Sequence, residues 1–134
     1  MRLKKMGMFG VAIALVSLTA GCTHDEAYVD KFSGRPTDAP PATESSYGPE
    51  ARWSETGNVL ITTWGSSSCP STPSAISLLT PSVVLVELAP PPDGACTADM
   101  AATTFEMELP EEAQESRIES AIVGEQKVQL PPFG

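Results

Sequence analysis

The chain has 134 residues, 17 acidic and 8 basic, for a formal net charge of −9, and its single histidine is His24. That balance argues against nucleic acid and against electrostatic docking on anionic lipid, since both need clustered Lys and Arg. The length holds one domain at most.

Arg2, Lys4 and Lys5 make a positive start, and residues 6–18 form an uncharged run whose only polar side chain is Ser17. This is signal-peptide architecture. A membrane-crossing helix needs about 20 apolar residues, whereas this run stops sooner, in small residues that suit a peptidase. Leu18-Thr19-Ala20-Gly21-Cys22 looks like a bacterial lipoprotein acylation site, with one departure: the apolar Leu18 lies four positions before Cys22, where three is commoner. The expected processing removes residues 1–21 and places diacylglycerol on Cys22. Two acyl chains make a stable anchor where one is marginal, so the expected location is the extracytoplasmic face of the cell membrane, with the bilayer as partner through Cys22. Ordinary secretion with Cys22 as a spare thiol is the alternative, and it leaves an unpaired cysteine unexplained. Three of the eight basic residues precede Cys22, so the processed chain of 113 residues carries five against 17 acidic ones, a formal charge of −12.

Residues 23–48 contain no spaced apolar run and include Pro36, Pro40 and Pro41 among Ser, Thr and Asp. The expectation is a disordered tether over residues 22–50. A flexible chain of that kind spans roughly 25–30 Å and lifts the following domain clear of the headgroups.

From residue 51 to 134 short runs of Val, Ile, Leu and Thr alternate with Pro, Gly and Ser, a β pattern. Arg52 and Trp53 open a first strand, Glu55-Thr56-Gly57 turns it, and residues 58–64 run back. Residues 75–79 and 82–88 follow, the second apolar on both faces and so expected inside a sheet or beneath another one. Phe105-Glu106-Met107-Glu108-Leu109 alternates as a half-buried strand does. Residues 117–123 continue with Ile118 and Ile122 on one face, and residues 127–130 give a last strand. Between them, Pro110 and the acids after it allow one helical turn. Six or seven strands without a long helix predict an all-β fold, a small antiparallel sandwich or partly open barrel, monomeric.

So small a core needs a staple. With Cys22 acylated, Cys69 and Cys96 remain, and in an oxidising compartment they are expected to form a disulfide enclosing 26 residues. Free thiols for redox or metal work lack a CxxC spacing and a nearby histidine.

WGSSSCPSTP at residues 64–73 and ACTADMAATTFEMELPE at residues 95–111 resemble a group of uncharacterised actinobacterial membrane lipoproteins that pair a WGSSSCP-like segment with a CTAD-like segment and a downstream LP. The resemblance covers most of residues 53–111. It implies a lipid anchor and a bridge joining the two segments, and it brings no activity with it.

Ser66, Ser67 and Ser68 after a strand and a glycine invite a nucleophile reading. The elbow G-x-S-x-G is not met, because Cys69 stands at the second glycine, and His24 lies outside the domain, so no Ser-His-Asp site is expected. Asp93 and Asp99 flank Cys96 without the spacing of a calcium loop, and the domain is too small for a glycosidase cleft. Neither metal nor cofactor is expected. Trp53 and Trp64 read first as core. If the domain has a binding surface, Trp64, Ser66, Ser67, Ser68 and Asp99 are the candidates, and a hollow gathering them would mark it. The expected function is a non-enzymatic binding or structural role at the cell surface; a small secreted hydrolase or metal carrier is the alternative.

Overall fold

Short runs, most of them rich in apolar side chains, build eight strands in the computed structural model, which describes residues 27–41 and 47–132: β1 (Asp30–Ser33), β2 (Glu50–Trp53), β3 (Val59–Gly65), β4 (Pro73–Thr80), β5 (Val83–Leu88), β6 (Ala101–Met107), β7 (Ser120–Val123) and β8 (Gln126–Gln129). Two four-stranded sheets form, ordered β1-β6-β3-β2 and β4-β5-β7-β8. They stack as a sandwich, with β2 beside β8 at one margin. The all-β class and the Cys69–Cys96 disulfide are as expected. The expected signal peptide and Cys22 lie outside the described residues.

The core is the facing rows of both sheets. Val59, Ile61, Phe105 and Met107 of the first and Val84, Val86 and Ala121 of the second are all fully buried. Glu106 points the other way and accepts a hydrogen bond from Asn58 Nδ2 at 3.0 Å. β5, apolar on both faces, is an inner strand between β4 and β7. Its Val83 and Leu85 stay half-buried on the outer face.

Three expectations need correction. The second sheet is mixed, because β5 pairs with β7 in parallel. A parallel neighbour requires a long crossover, and the chain supplies it by leaving β5, crossing to the other sheet as β6, and returning through a single 3-10 turn at Glu111–Ala113. Ile118 and Ile122 do not share a strand face: Ile118 is buried ahead of β7, whose core face is Ala121 and Val123, and Ile122 is half-buried on the opposite side. The largest correction concerns the tether. Residues 27–41, expected to be disordered, belong to the domain, and β1 makes the eighth strand by pairing antiparallel with β6. Residues 22–26 and 42–46 lie outside the described residues.

Backbone and polar groups hold this added segment, which is why its composition does not announce it. Val29 N–H donates to Glu106 O at 2.8 Å and Gly34 N–H to Ala102 O at 2.9 Å. Tyr28 meets Phe105 edge-on, with centroids 5.1 Å apart. Gly34, at φ 93°, turns the chain over the outer face of the first sheet, a conformation that costs a side chain dearly. There the Arg35 guanidinium forks onto Glu50, at 2.7 and 2.6 Å, and its third nitrogen donates to Pro40 O at 2.6 Å. Arg52 reaches Asp38 at 3.2 Å. Beneath the fold-over, Thr104 Oγ1 donates to Gly34 O at 2.7 Å. Thr62 and Thr104, 1% and 0% exposed, sit with hydroxyls 2.9 Å apart. Since the Thr104 proton is spent on Gly34, Thr62 is the donor of that pair. Thr104→Val should therefore strand both the Gly34 carbonyl and the Thr62 hydroxyl, lowering stability by about 1–3 kcal/mol. Thr62→Val removes only a donor and should cost less. Urea unfolding of the two variants tests that order.

Candidate functional site

β3 and β6 run side by side until Gly65 opposes Ala101. The segments beyond that end, residues 66–72 and 89–100, are therefore brought together, and Cys69 and Cys96 bond across them with Cα atoms 5.6 Å apart. Four of the five candidate residues, Ser66, Ser67, Ser68 and Asp99, meet here at the surface. Their hub is a residue that sequence reasoning missed, Thr97. Its hydroxyl donates to Asp99 Oδ1 and receives the Ser66 hydroxyl at 2.8 Å, while its N–H donates to Ser68 Oγ at 2.9 Å. Ser66 Oγ also accepts Cys69 N–H at 3.3 Å, and Ser67 N–H donates to Asp99 Oδ1 at 3.1 Å. A hydroxyl has one proton and two lone pairs, so these bonds occupy Thr97 and Ser66. The one sequence signal that points to Thr97 is its place between the bridge cysteine and Asp99, an arrangement suited to side-chain-to-backbone turns.

Hydrogen bonds from the Ser67 hydroxyl, then from the Thr97 hydroxyl and the Ser67 N–H, hold the Asp99 carboxyl down at about 2. A carboxylate so stabilised is a poor proton acceptor at neutral pH. Among the described residues, no three His, Cys, Asp or Glu side chains gather to hold a metal ion.

Trp64, the fifth candidate, turns away from this cluster into a separate hollow of about 400 Å³ with Tyr47, Ser71 and Gln126. Tyr47 meets its ring edge-on at 5.0 Å. Trp64 Nε1 is buried with no hydrogen-bond partner among the described residues. The structure thus divides the candidate surface in two. Another and larger concavity, about 710 Å³, lies at the opposite end of the sandwich, over Trp53, Leu109, Ile118 and Leu130, with Arg117 and Glu119 at its edge.

Two measurements follow. Replacing both bridge cysteines by serine frees a 26-residue loop and should lower stability by about 3–4 kcal/mol on the chain-entropy model; thiol titration of the native protein should find neither Cys69 nor Cys96 free. Because the folded pKa of Asp99 is depressed, its stabilisation is present above the unfolded value near 3.9 and disappears as pH falls through about 2. Melting curves between about pH 4 and pH 2 should accordingly fall more steeply for the wild type than for Asp99→Asn, and parallel curves would refute the assignment.

Comparison with protein-family models, with curated proteins and with solved structures finds no match to the chain.

Proposed function

We propose that the protein is an extracytoplasmic lipoprotein, anchored through diacylglycerol on Cys22, whose small β sandwich binds or scaffolds at the cell surface without catalysing a reaction. The observation that carries this reading is the partition of its three cysteines. Cys69 and Cys96 pair with each other, and the third stands directly behind an apolar run and two small residues. A disulfide of this kind persists outside the cytoplasm, which agrees with export by the same N-terminal segment. The non-enzymatic part rests on the hydroxyl cluster. The Ser66 hydroxyl donates to Thr97 and accepts the Cys69 N–H beside the bridge, and the Thr97 hydroxyl donates to Asp99. Asp99, as the nearest carboxylate, is too acidic to activate a serine.

Mass spectrometry of the membrane fraction tests the anchor. The expected N-terminal peptide begins at Cys22 and carries diacylglycerol, and Cys22→Ser should leave unprocessed precursor or release protein from the membrane. An unmodified chain secreted to the medium by wild-type cells would overturn the reading.

A further inference from the structure

The lipoprotein reading acquires a direction once β1 is placed. Four residues, 23–26, separate Cys22 from Ala27, the first described residue. Fully extended, that stretch puts the two Cα atoms at most about 18 Å apart. The domain is therefore held against the bilayer, where a free tether over residues 22–50 would have lifted it away.

The register fixes which end is held. β1 enters opposite Glu106 and leaves opposite Thr103, so the anchor joins the first sheet where Met107 opposes Val59 and Trp53 opposes Val59 in turn. The disulfide and hydroxyl cluster lie beyond the other end, where Gly65 opposes Ala101. The large cleft shares the anchored end, since Trp53 and Gly57 of the β2–β3 turn line it together with Leu109, which follows β6. Val29, 57% exposed, stands at this same end.

We propose that this cleft faces the bilayer and takes an acyl chain of a phospholipid, with the lipid phosphate at Arg117; the proposal rests on the anchoring of Cys22. Trp53, Leu109, Ile118 and Leu130 supply the apolar lining, and Ile118 and Leu130 are each 5% exposed and form its floor. A concavity of about 710 Å³ lies within the range of small-ligand sites, roughly 300–1,000 Å³. The edge carries one charge of each sign, Arg117 and Glu119, and neither forms an ion pair with any described residue. Arg35 and Arg52, in contrast, are engaged by Glu50 and Asp38. A zwitterionic headgroup, phosphate and ammonium side by side, complements that edge. A guanidinium suits phosphate particularly well.

Tryptophan fluorescence in lipid nanodiscs tests this, because the two indoles lie at opposite ends. The lipidated protein is placed in discs of phosphatidylcholine and in discs of the same lipid brominated on its acyl chains, which quench tryptophan on contact. In Trp64→Phe, where Trp53 alone emits, the brominated lipid should remove half or more of the emission. In Trp53→Phe, Trp64 should emit equally in both discs. The unsubstituted protein should lose an intermediate share, which keeps the test readable if either variant fails to fold. Leu109→Glu in the Trp64→Phe background should restore the emission by placing a charge in the cleft, while circular dichroism stays unchanged. Unquenched Trp53, or equal quenching of both indoles, overturns the proposal with the anchor intact. Protein that fails to copurify with discs and lacks the diacylglycerol mass overturns the anchor itself.

Discussion

Seven consecutive residue pairs between β3 and β6, from Val59 opposite Met107 to Gly65 opposite Ala101, set the geometry of everything around them. Their inward row supplies Val59, Ile61, Phe105 and Met107 to the core. Their outward row places Thr62 beside Thr104 under the fold-over of residues 34–41. One end of the pairing brings the two cysteine-bearing segments together, and the other end receives β1. A slip of one residue would exchange the two rows and bury glutamate, so the alternation Phe105-Glu106-Met107 protects the register as well as the core.

A sandwich this small buries a limited share of its surface, and it compensates at both faces of the first sheet. On the inner face the compensation is apolar packing against the second sheet. On the outer face it is polar: a buried threonine pair, a carbonyl from Gly34 and the forked Arg35–Glu50 contact above them. Such a network is favourable only when all members are satisfied, since a buried hydroxyl without a partner costs more than a bond contributes. Residues 27–41 are thus part of the fold, because the Gly34 carbonyl takes the Thr104 proton and so leaves the Thr104 oxygen to accept from Thr62.

The seven strands from Glu50 onward are legible in outline as apolar runs, and Phe105-Glu106-Met107 records burial by alternation, although β6 begins at Ala101 and ends at Met107 where the sequence predicts residues 105–109. β1 is not, since all four residues of Asp30–Ser33 are exposed and the strand is held by backbone pairing that leaves no apolar signature. The parallel β5–β7 pair is hidden for another reason: strand direction depends on where the intervening crossover lands, and no local pattern encodes that. The disulfide follows from counting cysteines, and Ser66, Ser67, Ser68 and Asp99 follow from standing beside it. Trp64 stands next to them along the chain, yet its ring packs on Tyr47, which the sequence places in the expected tether. The hollow at Trp64 depends on Tyr47, so no pattern within residues 51–134 marks it.

The proposed seat on the membrane sets a formal charge of −12 close to lipid, and the distribution of that charge decides how it can rest there. Glu111, Glu112 and Glu115 crowd the 3-10 turn next to Gln114, which lines the large cleft. They oppose an anionic leaflet over about one Debye length, some 8 Å at physiological salt, well inside the reach allowed by residues 23–26. Electrostatics thus gives the domain no affinity of its own for such a surface, and under the proposal the attachment falls to the two acyl chains on Cys22. On the proposed seat, repulsion from anionic headgroups would leave the zwitterionic ones at the cleft edge, where Arg117 and Glu119 stand without ion-pair partners among the described residues. Under the same proposal, the acidity that argues against nucleic acid as a partner also narrows the kind of lipid the cleft would meet.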